Sequence, residues 1–152
     1  MDVWRIAKQK FALDRLGTGA SISGGRWNSV NVPMIYAGIT IEIASFEKLV
    51  HVSGELPNDL VLIKLTIPND VSIIDGLDGL PPNWDALPSS IEAQEFGDQF
   101  INAGAFLAMI VPSVVIPEAR NILINPNHPD WIKCTMEIKR PFSYDSRLKN
   151  KS

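Results

Sequence analysis

The sequence predicts an α+β fold, a single domain built on a central, partly split, mainly antiparallel sheet with a few helices. Three observations lead there. Eleven prolines and ten glycines break 152 residues too often for a helical bundle. Short apolar runs recur between those breaks, each bounded by turn residues. Only two segments combine helical periodicity with start and stop signals. The length suits one domain with a real core and is too short for two ordinary ones. The folded part is expected over residues 1–142, with 143–152 a polar, solvated tail.

The elements follow in order. Residues 34–37 read as a short apolar strand running into a helix at 41–52. Thr40 is the expected N-cap of that helix, Glu42 lies in its first turn and Gly54 follows its last. Residues 60–67 are the clearest strand, framed by Pro57-Asn58-Asp59 and Pro68-Asn69-Asp70, which are turn chemistry rather than a repeat. Residues 71–74 extend the sheet, and 75–88 form an irregular loop. That loop's Asp-Gly pattern lacks the closing glutamate and flanking helices of a calcium loop. Ser89 and Glu92 fit a capping box opening a second helix, which ends at Ala103 before Gly104. Strands are then expected at 105–111, 114–116 and 121–124. A tight turn follows at Asn125-Pro126-Asn127-His128-Pro129-Asp130, with a last strand at 131–139.

Composition removes several function classes. The net charge is -3 and no cationic block exists outside the tail, which argues against direct nucleic-acid binding. Cys134 is the single cysteine, so no intramolecular disulfide or thiolate metal cluster can form. Two distant histidines, His51 and His128, make a zinc site a poor reading. The N-terminus lacks a signal-peptide apolar run, and no segment has the ~18 uncharged apolar residues of a membrane span. The expectation is a cytoplasmic protein with no membrane segment and no metal.

The candidate site residues come from local context. On a helical wheel Ile43, Phe46 and Val50 form an apolar stripe, and Glu47 projects from it. A carboxylate buried there needs donors, a proton or a ligand. Two readings fit: a functional carboxylate, or a structural ion pair with Arg5, Arg15 or Arg26. In Gly24-Gly25-Arg26-Trp27-Asn28 the glycines permit tight bends beside an arginine, whose planar fork suits phosphate or ribose hydroxyls. The alternative is an arginine stacked on Trp27. Tyr36 is either a core residue or a stacking platform for a planar heterocycle. Ser113 has no histidine near it in sequence and no Gly-x-Ser-x-Gly elbow, so it is not read as a nucleophile.

Taken in order, Trp4-Arg5, Gly24-Gly25-Arg26-Trp27-Asn28, Tyr36, Glu47, Val111-Pro112-Ser113 and Asn121-x-x-x-Asn125-Pro126-x-His128-Pro129 resemble the RES domain, over about residues 3–142. The resemblance implies a fold similar to ADP-ribosyltransferases. It implies a toxin of a bacterial toxin–antitoxin pair that consumes NAD⁺ as substrate, by hydrolysis or phosphorolysis at the nicotinamide–ribose bond, with no prosthetic group. By position, Arg26, Tyr36, Glu47 and Ser113 would be the active-site set, and Arg5 and Asn125 would contribute to holding NAD⁺. The implied partner is an Xre-like helix-turn-helix antitoxin whose C-terminal segment covers the pocket, and the composition leaves room for a homodimer. Transfer of ADP-ribose to a protein is the alternative activity, and a non-catalytic binding module the alternative outside enzymology.

Overall fold

The computed structural model describes residues 1–148. It comprises β1 (Asp2–Lys8), α1 (Thr18–Ser23), β2 (Ile35–Gly38), α2 (Ile41–Val50), β3 (Leu60–Thr66), β4 (Ile73–Asp75), α3 (Ile91–Ala103), β5 (Ala108–Pro112), β6 (Arg120–Ile124) and β7 (Thr135–Pro141). The strands make one seven-stranded sheet in the order β4-β5-β6-β2-β1-β3-β7. Every pairing is antiparallel except β4 with β5.

The sheet is split at its middle. β1 pairs with β3 along its whole length, from Asp2 opposite Thr66 to Lys8 opposite Leu60. With β2 it pairs only through Trp4 opposite Gly38. Four strands on one side and three on the other therefore meet at a single point, as the partly split sheet of the sequence reading requires.

Three apolar clusters hold the domain. Val3, Ile35, Ala37, Val61, Ile63, Leu65, Ile122 and Ile124 line one face across the split, packed with Trp131 and Cys134. Trp27, Met34, Met109, Val111 and Leu123 on the other face receive Ala93, Phe100 and Ile101 of α3. Ile6, Leu60 and Leu62 receive Ala44 of α2. Strand alternation explains the division: Val3 and Ala7 face one way, Trp4 and Ile6 the other.

Gly38 decides where α2 goes. A Cβ there would lie 2.7 Å from Ile43 Cγ2 and 2.8 Å from Ala44 N, so only glycine lets the helix fold back this tightly after β2. Thr40 caps α2 as expected, its Oγ1 accepting from Ile43 N. The expected apolar stripe is corrected. Ile43 and Ala44 are buried, but Phe46 and Val50 are exposed, because the helix docks through the Thr40-Ala44-Glu47 side of the wheel.

Other boundaries differ for local reasons. Ser90, not Ser89, caps α3, accepting from Ala93 N, and Gly104 ends it in the left-handed region at φ 62°. Residues 114–116 are not a strand, since Val115 and Ile116 donate their N–H groups to Ser113 Oγ. Residues Pro129–Lys133 form a 3-10 turn ahead of β7, which puts Cys134 just before the strand rather than within it. α1 and β1 were not anticipated from the sequence. Among residues 143–148 of the expected tail, Tyr144 is half-buried against Phe142 and donates its hydroxyl to Ser45 O. Residues 149–152 of that tail lie outside the described residues.

Candidate active site

Glu47 lies in the last half of α2, where the helix crosses from β2 towards β1. Its Oε1 accepts two hydrogen bonds, 2.6 Å from Ser113 Oγ and 2.7 Å from Asn121 Nδ2. Both donors come from the ends of paired strands: Ser113 directly follows β5, and Asn121 is the second residue of β6. Ser113 is fully buried and also accepts from Val115 and Ile116 N–H, so the hydroxyl is fixed by three partners. Among the described residues no arginine lies within ion-pair distance of Glu47. The structural ion pair is therefore not what buries this carboxylate. One oxygen is anchored by neutral donors and the other, Oε2, has no hydrogen-bond partner among the described residues.

Tyr36 stands on β2 with its hydroxyl tied to the Gly25–Asn28 turn. It donates to Asn28 Oδ1 at 2.6 Å and accepts from Trp27 N at 3.1 Å. Asn28 is itself fully buried and caps the turn through Ala20, Ser29 and Val32 carbonyls. A Cβ at Gly25 would lie 2.8 Å from Tyr36 Oη and 2.9 Å from Asn28 Oδ1, so this glycine makes room for the hydroxyl lock. Burial pushes the Tyr36 phenol well above its ordinary value, which keeps it a donor.

Arg26, next in the turn, extends to the 75–88 loop. Its Nη1 donates to Trp84 O at 2.9 Å and to Ala86 O at 2.8 Å. Trp27 does not stack on Arg26; it lies parallel to Trp84, with centroids 6.3 Å apart and 15° between planes. Burial draws the Arg26 guanidinium below its ordinary value, and Glu47, Asp85 and Tyr36 oppose that through charge. Arg26, Tyr36 and Glu47 thus share one electrostatic neighbourhood.

Two expected contributors stand apart. Arg5 on β1 pairs between Ile63 of β3 and the split, and burial lowers its guanidinium with Asp14 opposing. Its charge also acts on Lys48 of α2. Asn125 is buried at 1% exposure in the turn after β6. Its amide donates to Ile101 O and its oxygen accepts from Asn127 N, so it serves that turn. Asn121, in contrast, was not singled out as a site residue. Its signal was a polar residue in register with Leu123 on a strand that otherwise buries apolar side chains. Among the described residues no three His, Cys, Asp or Glu side chains gather as a metal site.

The comparisons with known proteins cover almost the whole chain. The family model described as the RES domain matches residues 2–145. A protein of Sphingobium sp. (strain YBL2) named Prs ADP-ribosylating toxin is 37% identical over 156 residues, covering 98% of this chain and 97% of the relative. A Toxin Res of Photorhabdus laumondii subsp. laumondii is 34% identical, covering 97% of each. Among solved structures, a chain of the M. tuberculosis MbcT–MbcA toxin–antitoxin complex has a similar fold. Its TM-score is 0.66 at 15% identity, covering 97% of this chain and 85% of that one.

Proposed function

The chain belongs to the RES domain family, and we propose that it is the toxin of a toxin–antitoxin pair which breaks the nicotinamide–ribose bond of NAD⁺. The observation that carries this reading is the half-occupied carboxylate: Glu47 Oε1 held by Ser113 and Asn121, Oε2 without a partner among the described residues. Expulsion of neutral nicotinamide leaves positive charge on the ribose. A carboxylate fixed in advance stabilises that charge without reorganising as it develops. Oε2 meets the developing cation and a ribose hydroxyl. Ser113 and Asn121 act through Glu47 and are positioning residues.

Tyr36 supplies a ring whose tilt is set by the bonds at its hydroxyl, suited to stacking on the nicotinamide. Arg26 commits Nη1 to two carbonyls and keeps Nη2 and Nε for an anionic or hydroxyl group of the dinucleotide. The test is expression of the chain without an antitoxin while cellular NAD⁺ is followed, beside Glu47→Ala. A fall in NAD⁺ absent from the variant supports the reading; equal loss in both overturns it.

One observation favours a second acceptor for the same chemistry, the ADP-ribosylating activity in the name of the Sphingobium relative. The donor half of the site is common to both reactions. Labelled NAD⁺ incubated with lysate separates them, because label on a protein band means transfer and free ADP-ribose means water or phosphate as acceptor. For the antitoxin, an Xre-like helix-turn-helix protein is proposed. Phe46 and Val50, exposed on α2 beside Glu47, give a partner's segment apolar contact at the mouth of the site. No helix among the described residues is long and apolar enough to cross a membrane.

A further inference from the structure

α3 gives no side chain to the site described above, yet one of its faces is built around the turn that carries Arg26. Gln94, Gly97 and Asp98 fall at i, i+3 and i+4 and so share that face. Asp98 holds the far end of the turn. Ser29 donates its backbone N–H to Oδ1 at 2.9 Å and its hydroxyl to Oδ2 at 2.6 Å. Gln94 holds the near end, its Nε2 donating to Gly25 O at 3.1 Å. Between them Gly97 lies against the turn itself, where a Cβ would come within 1.7 Å of Trp27 O. Arg26 stands between the two anchored ends.

Glycine and aspartate are both poor residues for a helix interior, so propensity gives no reason for Gly97-Asp98 in the middle of α3. The turn does. Among the described residues no cation lies within ion-pair distance of Asp98, and its two oxygens serve Ser29 instead. Ser29 also accepts from Asn28 Nδ2, which joins this clamp to the Tyr36 hydroxyl lock. At its other end Arg26 grips Trp84 O and Ala86 O, in the loop that runs into α3 at Ser90. Turn, loop and helix therefore form a closed circuit with Arg26 at its centre. Glu47 lies outside it, held by Ser113 and Asn121.

We propose that Asp98, assisted by Gln94, is a positioning residue that acts through the Gly25–Ser29 turn to aim Arg26 at its ligand, a group of the dinucleotide on the NAD⁺ reading, on which this inference rests. Loosening the clamp should weaken substrate binding more than bond breaking, because the carboxylate is anchored elsewhere.

The experiment measures NAD⁺ consumption by the purified chain carrying Asp98→Ala, Asp98→Asn or Gln94→Ala, with thermal unfolding as the check of folding. Asp98→Ala should raise the KM for NAD⁺ about tenfold, the worth of one hydrogen bond to a charged group, and change kcat by no more than about threefold. Asp98→Asn keeps the shape and an acceptor for Ser29 N–H, so it should recover most of that loss. Gln94→Ala should raise KM in the same direction by less, and it decides the matter if Asp98→Ala does not fold. Asp98→Ala should add little to the KM of Arg26→Lys, since both act on one guanidinium. Unchanged KM in the folded variants, or full multiplication of the two losses, overturns the proposal. Amide hydrogen exchange is read in parallel and needs no substrate: Asp98→Ala should quicken it around Trp84 and Ala86, outside α3. If the natural chain leaves NAD⁺ intact, the NAD⁺ reading fails and exchange alone decides the clamp, unchanged exchange in that loop overturning it.

Discussion

Glu47 and Arg26, the two charged members of the proposed site, are held in opposite ways. Glu47 rests on side chains at the ends of two paired strands, and Ser113, one of its donors, is completely buried. Arg26 sits on a glycine turn and grips backbone carbonyls of an irregular loop. The carboxylate is fixed by the sheet, whereas the guanidinium and the loop fix one another. The difference teaches that the group proposed to stabilise charge is preorganised by the sheet, while the group facing the loop can move with it.

Glu47→Gln is the strongest way to break this picture. It should lower NAD⁺ consumption by roughly 10²–10³-fold, the usual loss for one preorganised electrostatic group. The melting temperature should change little, and a loss of only a few-fold would show that the carboxylate is not the centre of the reaction. Next come the two donors. Asn121→Ala and Ser113→Ala should each lower the rate about tenfold, the worth of one hydrogen bond to a charged group. They should differ in stability. Ser113→Ala also leaves the N–H groups of Val115 and Ile116 without their acceptor, costing about 1–3 kcal/mol in a denaturant titration. The double variant should lose less than the two single losses multiplied, since both donors serve one oxygen.

Arg26→Lys sharpens the other side. A lysine keeps the charge but not the fork, so amide hydrogen exchange should quicken around Trp84 and Ala86 and the KM for NAD⁺ should rise by roughly tenfold. If exchange is unchanged, the arginine does not hold the loop. Tyr36→Phe should have the smallest effect on turnover, within a few-fold, because the ring remains. Its stability should still fall by about 1–3 kcal/mol, as Trp27 N–H and Asn28 Oδ1 lose a buried partner. Loss of activity on the scale of Glu47→Gln would mean that the hydroxyl itself takes part.

Much of this was legible in the sequence because it rests on local chemistry. The Thr40 cap, the Gly104 stop and the strands of the core depend on neighbours a few residues away. The orientation of α2 was not legible from hydrophobicity. Phe46 and Val50 suggested a buried stripe, but Gly38 brings the Ala44 side of the helix onto the sheet instead. Ser113 ends a strand where alternation promised another, because its hydroxyl gathers the next two N–H groups into a turn. Asn121 stood out as a polar residue on an apolar strand, but its approach to Glu47 follows only from its register beside Gly38. β1 was missed because Arg5 and Lys8 interrupt its apolar alternation.

The split sheet has a consequence for how the protein is made. Glu47 leaves the ribosome well before its two donors, which lie 66 and 74 residues further along the chain. β1, made before the other strands of the sheet, is an interior strand and remains unpaired until β2 and β3 have followed it. On the proposed reading, the carboxylate site stays incomplete until β6, which carries Asn121, has been made and has paired with β2. The order of translation itself sets the interval in which a neutralising partner can already be waiting.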